Sequence, residues 1–418
     1  MNSLPADIFH KSSIDQRLLQ DDWSDLSQFC ELPEIDFERM AAYRMSRLKQ
    51  QLELNDAAMC LLLNPVSLRY AVDYCSYQLF QSHIPTSYLF LPQQGPVVMY
   101  GAYADVPMVD DFRSARAHSY FDGGSNIHIE ADRLADDVVN YLAEIGSDNR
   151  RVALEYINPS VTRALLARGL EVIDGVRISE QARVIKSADE IACMRWAVAV
   201  AEHGIAMMKQ ALKPGIRENQ LWALLNYTNL ANSGGWHEGR MLASGPRINP
   251  WLQEASDRKI ESGDLVGFDT DMVGPFGYFA DISRTFHCGP AKPSQRQKQI
   301  YRLALDEIEH NLKLIRPGIS LLQIQRQAYV PDEAFRDNAY PCILHAVGMC
   351  DEYPQVKYPH RQKNPYDCEL QAGMVLCLES YMGAKGERDG VKLEQQVLVT
   401  EEGYELISSY PWEADLLE

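Results

Sequence analysis

The chain has 418 residues, 46% of them hydrophobic, and a formal net charge of −18 at pH 7. This length is too great for one ordinary hydrophobic core, so we expect two domains. The acidic balance, without any run rich in lysine or arginine, argues against nucleic acid and anionic membranes as partners.

Cysteine usage and the first residues indicate the cellular compartment. The opening segment, MNSLPADIFHKSSIDQ, lacks the apolar stretch of a secretory signal, and we expect no later segment to be long enough to span a bilayer. The nine cysteines are scattered and form no CxxC pair, as is usual for reduced thiols. We therefore expect a cytoplasmic, globular protein of enzyme size.

The first part of the chain alternates helical and extended patterns. Residues 1–36 mix polar and apolar pieces and are typical of an arm. The predicted elements are a helix over 36–54, a strand over 57–63, a hairpin of 87–91 with 95–100, a helix over 129–145 and a strand over 151–155. This alternation predicts an α/β domain over residues 1–183. For the segment YFDGG at 120–124, a simple turn is favoured over a loop that reaches a partner's site.

A domain boundary is predicted at the segment RVIKSADE, which starts at Arg183. Ser187 and Glu190 form a capping box ahead of a long apolar-periodic stretch. The elements predicted beyond it are helices over 191–212, 218–230, 294–314 and 320–329, and strands over 240–245, 343–348, 374–381, 391–400 and 404–407. Helices combined with antiparallel hairpins predict an α+β fold for a catalytic domain over residues 184–418.

The segment 265–286, LVGFDTDMVGPFGYFADISRTF, is typical of a hairpin and carries three aspartates. Side chains alternate along a strand, so we expect Asp269 and Asp271 on one face, with Asp281 brought beside them by the return strand. Three carboxylates in an apolar frame repel one another unless a cation neutralises them. The alternative is that single aspartates cap turns.

Three further candidate ligands lie in the strand-rich end: His345 in ILHAVG, Glu379 in GMVLCLE and Glu394 in GVKLEQQVLV. A carboxylate embedded in such apolar runs is costly without a partner. Oxygen-dominated ligation with one imidazole suits Mn, Fe, Co or Zn as a dinuclear pair. No thiolate belongs to the set, which argues against a structural zinc site. For His345 alone, a hydrogen-bonded core histidine is the alternative.

From about Lys186 to Leu406 the chain resembles the M24 superfamily of creatinase, aminopeptidase P and methionine aminopeptidase, the pita-bread metallohydrolases. The matching motifs are RVIKSADEI, ASGP, ESGDLVGFDTD, GYFADISRTF, LHAVG, GMVLCLES and VKLEQQVLVTEEGYELI. The resemblance implies a pita-bread catalytic domain preceded by a smaller, metal-free, creatinase-like α/β domain. It also implies that Asp281 and Glu394 bridge two metals.

The chain departs from the peptidases of this superfamily at several positions. Asp281 lies twelve positions after Asp269 and ten after Asp271, so neither spacing matches the peptidase hairpin and either aspartate can be the first ligand. Trp251 stands where those peptidases carry one histidine, and Asp351 stands where they carry a second. Each lost proton-transfer or polarising group costs roughly 10²–10⁴-fold in rate, so amide hydrolysis is disfavoured.

This altered set, with FDTDMVGPFGYFADISRTF and AYPCILHAVGMCDEYP, is similar to the DddP-type dimethylsulfoniopropionate lyases. That resemblance implies a homodimer with a dinuclear divalent centre of the iron type, for which Zn, Mn, Ni and Cu are the alternatives. It implies Asp351 as general base and Tyr340 as a substrate contact. The metal ligands that it implies are Asp269, Asp271, Asp281, His345, Glu379 and Glu394.

A β-elimination suits these residues. Dimethylsulfoniopropionate is a zwitterion whose carboxylate can sit on the metals, which act as a Lewis acid. A carboxylate base then removes the adjacent proton, and neutral dimethyl sulfide leaves to give acrylate. Aromatic faces favour the sulfonium. The candidates besides Tyr340 are Trp251, Trp236 and Tyr353, with core packing as the alternative for each.

Two other interpretations stay open. An Xaa-Pro dipeptidase or aminopeptidase P-like hydrolase requires His237 or His360 to replace the missing histidines. A catalytically inactive binding module is disfavoured by the intact ligand set, because buried carboxylates without a metal lower stability.

Overall fold

The computed structural model describes residues 33–103 and 106–418, so most of the predicted arm, residues 1–32, lies outside the described residues. Within the described ranges the helices are α1 (Phe37–Leu54), α2 (Pro65–Val72), α3 (Gln78–His83), α4 (Tyr120–Gly123), α5 (Ile127–Glu144), α6 (Pro159–Ala167), α7 (Gly175–Arg183), α8 (Ala188–Ala211), α9 (Glu218–Ala231), α10 (Gln295–Leu312), α11 (Leu321–Gln327), α12 (Glu333–Arg336) and α13 (Ala414–Leu417). The strands there are β1 (Met59–Leu62), β2 (Tyr88–Pro92), β3 (Val98–Tyr100), β4 (Asp111–Arg113), β5 (Arg151–Leu154), β6 (Glu171–Asp174), β7 (Leu242–Ser244), β8 (Leu265–Asp269), β9 (Met272–Val273), β10 (Phe279–Ala280), β11 (Ser283–His287), β12 (Leu344–Val347), β13 (Asp351–Val356), β14 (Val375–Met382), β15 (Val391–Val399) and β16 (Tyr404–Leu406).

The first six strands form one mixed sheet in the order β4-β3-β2-β1-β5-β6. Strand β1 pairs antiparallel with β2 and parallel with β5, so it lies inside the sheet. Its residues alternate between two cores: Met59 and Leu61 pack with α5 and α6, whereas Cys60 and Leu62 pack with α1 and α7. A strand buried on both faces needs a continuous apolar run, which explains the segment AAMCLLL.

The second half of the chain builds two larger sheets. One has the order β11-β8-β7 and the other β13-β12-β14-β15-β16, while β9 and β10 form a short pair. Strand β11 packs against β15, which brings the two sheets together. Helix α10 packs on β14 and β15, and α8 packs on α9 and β10. This combination of helices and antiparallel sheets is the predicted α+β architecture.

Every helix and strand predicted beyond residue 36 is present, but several short elements were not predicted. The pair Asn64-Pro65, which follows β1, does not simply end that strand. Instead, the Asn64 side chain accepts the N–H of Val66 and Pro65 opens α2. Asn158 and Pro159 begin α6 in the same way. An Asn-Pro pair can end a strand and also start a helix, so the local pattern does not separate the two outcomes.

Two further expectations differ from the structure. The YFDGG segment forms the short helix α4, capped by Ser119 and Asp122, instead of a simple turn.

Helix α8 is long and apolar enough to cross a bilayer, judged by length and composition alone. The expectation that no segment could do so is therefore wrong. The most apolar window of α8 is 67% buried inside the protein, as in the core helix of a globular fold.

A buried ion network lies where the two halves of the chain meet. Glu352 in β13 accepts hydrogen bonds from Arg183 Nε and Lys186 Nζ, both at 2.9 Å, and from the N–H of Met349 at 3.0 Å. Arg183 ends α7 and Lys186 lies in the link to α8. The network therefore ties this link to the strand that begins at Asp351. The domain boundary between residues 183 and 184 stays a prediction.

Replacing Glu352 with glutamine should lower the free energy of unfolding by about 3–5 kcal/mol, because buried Lys186 loses its counter-charge and buried Arg183 keeps only Glu180. Urea unfolding followed by circular dichroism measures the loss. As a control, Glu405→Gln breaks the more exposed pair with Arg195 and should cost less than about 1 kcal/mol. Equal losses for the two variants would contradict this role for Glu352.

Candidate active site

The six side chains predicted as metal ligands come together where the two larger sheets meet. Their ligand atoms, together with the Cys377 thiol, fall into overlapping groups, and within each group the atoms lie within 4.8 Å of one another. The groups are Asp269 with Asp271 and Asp281; Asp269 with Glu379 and Glu394; and Asp281 with His345, Cys377 and Glu394. We call the six predicted ligands the carboxylate cage: Asp269, Asp271, Asp281, His345, Glu379 and Glu394.

The hairpin holds its aspartates through strand pairing and one turn. Asp269 ends β8 opposite Ser283 of β11. Asp281 lies just before β11, and its backbone N–H donates to Gln396 Oε1 at 3.0 Å. The predicted alternation of Asp269 and Asp271 along one strand is wrong, because β8 ends at Asp269 and Asp271 has φ of 38°. A left-handed turn brings the Asp271 carboxylate into the cage instead.

The five-stranded sheet supplies the remaining ligands. Glu379 in β14 stands directly opposite Glu394 in β15. Like charges directly opposite in an antiparallel pair destabilise a sheet, so this pair needs a cation. His345 Nε2 lies 3.2 Å from Glu379 Oε1 and 3.7 Å from Asp281 Oδ2, so the imidazole borders ligands from both sheets.

Unsatisfied oxygens show that the cage fits a metal centre. Asp269 Oδ1, Asp281 Oδ1 and Glu394 Oε1 are buried and have no hydrogen-bond partner in the described part of the chain. Burial, followed by the neighbouring carboxylates, raises the pKa of Asp271, Asp281 and Glu394 well above the usual range. Unpaired carboxylate oxygens with one imidazole are a donor set that divalent metals such as Fe, Mn and Zn accept.

Lys392 is a cage residue that the sequence analysis missed. It lies in β15 two residues before Glu394, is fully buried, and places Nζ 2.5 Å from Glu379 Oε2 and 3.0 Å from Asp269 Oδ2. The ammonium also donates to Ser283 Oγ at 2.6 Å. Burial acts to raise the pKa of Asp269, but the ammonium and the side-chain hydrogen bonds of the cage together outweigh it and hold that pKa at about 2. Residues two apart in a strand share a face, so this lysine could have been assigned to the cage from the sequence.

Asp351 contacts the cage through His345. It begins β13, and its Oδ1 lies 3.3 Å from His345 Nδ1. The Asp351 side chain is 55% exposed and that of His345 only 7%, so Asp351 stands at the mouth of the cage. Burial opposes charge on His345, but Asp351 and Glu379 raise the pKa of the imidazole to about 10. A carboxylate in this place can accept a proton from a bound molecule and release it to water.

The two predicted substrate contacts have different surroundings. The Tyr340 ring lies beside the cage, with its centroid 4.4 Å from Lys392 Nζ. Trp251 is 6% exposed and packs on Tyr381, with the ring centroids 6.1 Å apart. The structure therefore brings Tyr340 to the cage, whereas Trp251 belongs to the packed core and its substrate contact stays a prediction.

Another buried carboxylate lies behind the cage. Glu307 in α10 accepts hydrogen bonds from Tyr358 at 2.6 Å and from Ser380 at 2.7 Å. Ser380 follows Glu379 in β14, so the two side chains point to opposite faces of the sheet. Burial raises the pKa of Glu307 to about 7, although both hydrogen bonds oppose the shift. Glu307 therefore braces the ligand-bearing strand from outside the cage.

The sequence of this chain matches both a family model and individual known proteins over much of its length. Residues 192–401 match the model of metallopeptidase family M24. The dimethylsulfoniopropionate lyase DddP of Roseovarius nubinhibens is 36% identical over 395 residues, which are 91% of this chain and 88% of that protein. The dimethylsulfoniopropionate lyase DddP of Roseobacter denitrificans is 35% identical over 397 residues, with the same two coverages.

Solved structures with the same architecture include two peptidases. The Xaa-Pro dipeptidase from Bacillus anthracis superposes with a TM-score of 0.72 at 21% identity, covering 89% of this chain and 99% of that one. The prolidase from Pyrococcus horikoshii gives 0.68 at 19% identity, covering 88% and 99%. These likenesses confirm the predicted pita-bread fold with its smaller N-terminal part.

Replacing Glu307 with glutamine should stabilise the metal-free protein at pH 8 but not at pH 4.5. The raised pKa means that the folded state favours the protonated carboxyl, so wild-type stability falls as the pH rises from about 4.5 to about 7. Glutamine stays neutral and should gain on the order of 1–3 kcal/mol at pH 8. Urea unfolding at both pH values measures the difference.

Glu309→Gln is the matched control, because Glu309 lies on the same helix with its side chain 48% exposed. Its effect on stability should differ little between the two pH values. A Glu307→Gln effect of the same size at pH 4.5 and pH 8 would show that this carboxyl does not titrate as its burial requires.

Proposed function

The chain belongs to metallopeptidase family M24 and, within it, to the DddP-type lyases, and we propose that it cleaves dimethylsulfoniopropionate to dimethyl sulfide and acrylate by β-elimination. The observation that carries this proposal is the position of Asp351. Its carboxylate stands 3.3 Å from His345 Nδ1 at the mouth of the cage, at a position where the resemblance to the peptidases implies a histidine. A carboxylate there serves as a base in an elimination that needs no nucleophilic water.

Asp351 is the proposed general base. Its carboxylate removes a proton from the carbon next to the substrate carboxylate, and the C–H electron pair forms the carbon–carbon double bond. The C–S bond breaks at the following carbon and its electrons stay on sulfur, so dimethyl sulfide leaves uncharged without needing a proton. The contact with His345 positions the base, and its 55% exposure lets it pass the proton to water.

The carboxylate cage is the proposed dinuclear metal centre, with iron as the first choice among Fe, Zn, Mn, Ni and Cu. When bound, the metals supply Lewis-acid polarisation of the substrate carboxylate, which makes the adjacent C–H more acidic. Asp281 and Glu394 each belong to two of the overlapping ligand groups, which supports them as the residues shared by two ions. Asp269 also belongs to two groups and Asp271 to one, and both are proposed as ligands.

Two aromatic residues are the proposed substrate contacts. Tyr340 places a ring beside the cage, where its face favours a sulfonium cation. Trp251 packs against Gly267, two residues before Asp269, and its indole Nε1 is buried without a partner among the described residues. We propose that this N–H donates a hydrogen bond to the bound substrate.

Hydrolysis of Xaa-Pro peptides is the alternative on this scaffold, and the available histidines do not support it. His237 Nδ1 lies 2.7 Å from the carbonyl oxygen of Thr270, and its Nε2 is buried. Burial also lowers the pKa of His237. His360 stacks on Tyr358, with the ring centroids 5.6 Å apart. Neither imidazole belongs to the ligand groups of the cage, which favours elimination.

A homodimer and a cytoplasmic location belong to the same proposal. The homodimer is implied by the resemblance to the DddP-type lyases, and the location is inferred from the cysteine usage. The eight cysteines within the described residues are all free, as expected for a protein in a reducing compartment.

Purified, metal-loaded protein should convert dimethylsulfoniopropionate to dimethyl sulfide and acrylate in equal amounts. Headspace gas chromatography measures the sulfide, and liquid chromatography measures the acrylate. Asp351→Asn should keep its metal content but lose roughly 10²–10⁴-fold in kcat, because an amide cannot accept the proton. Asp148→Asn, in an exposed loop, is the matched control and should leave kcat unchanged.

An Xaa-Pro dipeptide is assayed in parallel. If metal-loaded wild type releases free proline but no dimethyl sulfide, the protein is a peptidase and the lyase proposal is wrong. Full lyase activity in Asp351→Asn would show that Asp351 is not the base.

A further inference from the structure

Lys392 occupies a place in the cage that the proposed elimination does not use. Its side chain is fully buried, with Nζ facing the Tyr340 ring 4.4 Å from the centroid. The ammonium contacts Ser283 Oγ at 2.6 Å, Glu379 Oε2 at 2.5 Å and Asp269 Oδ2 at 3.0 Å. The hydrogen bonds of the ammonium go to Ser283, Glu379 and Glu394, and Asp269 is an ion-pair partner. The three N–H donors of the lysine are therefore committed to the cage itself.

The charges of the cage explain an ammonium in this position. Five carboxylates, four of them buried and Asp271 half-buried, share this space, and there the Coulomb energy of neighbouring charges is larger than in water. Two divalent ions carry four positive charges, so one negative charge is left over when both are bound. Lys392 supplies the fifth positive charge, and it also lies 3.4 Å from Glu394 Oε2.

We propose that Lys392 is a resident counter-ion of the carboxylate cage. Its ammonium stabilises the cage before metals bind and then neutralises the charge that two divalent ions leave over. Removing the ammonium therefore destabilises the metal-free protein more than the metal-loaded protein. A lysine that only holds the fold together would contribute equally to both states. The inference concerns the cage and is independent of which reaction the enzyme catalyses.

Thermal unfolding of the full chain tests the proposal with Mn²⁺ as the probe. Wild type and Lys392→Met are compared after chelation and again with saturating Mn²⁺. The metal-free variant should melt on the order of 5–10 °C below metal-free wild type. With Mn²⁺ the gap should shrink to less than half, because the ions replace most of the missing positive charge.

Lys186→Met is the matched control, since Lys186 is equally buried but pairs with Glu352 outside the cage. Its melting temperature should fall by the same amount with and without Mn²⁺.

Lys392→Arg keeps the charge, so its melting temperature should rise on adding Mn²⁺ as that of wild type does. Lys392→Gln should behave like Lys392→Met. If Lys392→Met accumulates only as insoluble protein, growth with added Mn²⁺ should restore soluble protein.

Three results would overturn the proposal. These are equal gaps for Lys392→Met in both states, no gap in either state, and a variant that stays insoluble with Mn²⁺. If the melting temperature of wild type does not rise with Mn²⁺, both the proposed metal centre and this inference are wrong. A wild type that binds Mn²⁺ but releases no dimethyl sulfide would contradict the lyase proposal alone and leave this one standing.

Discussion

Compensation of buried negative charge is the constraint on which the rest of this structure depends. Two glutamates face each other across an antiparallel strand pair, and a neighbouring hairpin adds three aspartates to the same space. Without a counter-charge, each of these buried carboxylates would destabilise the strand or turn that carries it. The packing of β11 on β15 is therefore stable only with positive charge between the sheets. Lys392 supplies part of that charge, and the unpaired oxygens of Asp269, Asp281 and Glu394 indicate where the remainder belongs.

The same cage can support hydrolysis or elimination, and the residues at its mouth decide between them. Hydrolysis of a peptide needs a positioned water and a group that protonates the leaving amine. Elimination from a sulfonium needs only a base, because the sulfide leaves as a neutral molecule. Asp351 is the proposed base, and the adjacent Glu352 is anchored by Arg183 and Lys186 in the link between the two halves of the chain. A peptidase fold can thus serve a lyase with few changes outside the cage mouth.

Sequence reasoning identified the residues of the cage because buried carboxylates in apolar runs are costly and conspicuous. It failed for structural features that do not arise from a local sequence pattern. The turn that carries Asp271 into the cage interrupts the expected strand alternation. The network of Glu352 joins residues that lie more than 160 positions apart, so no window of sequence reveals it. The lysine at 392 was passed over because a lysine in a strand is usually taken to reach solvent.

The most direct test of this account is the rate of dimethyl sulfide release as divalent metal is added stepwise to the chelated protein. If the cage is the catalytic centre, the metal-free protein should be inactive, and the rate should rise and level off at two metal equivalents per chain. Asp351→Asn should take up the same two equivalents and stay inactive. Release of dimethyl sulfide by metal-free protein, or none at full metal loading, would contradict the account.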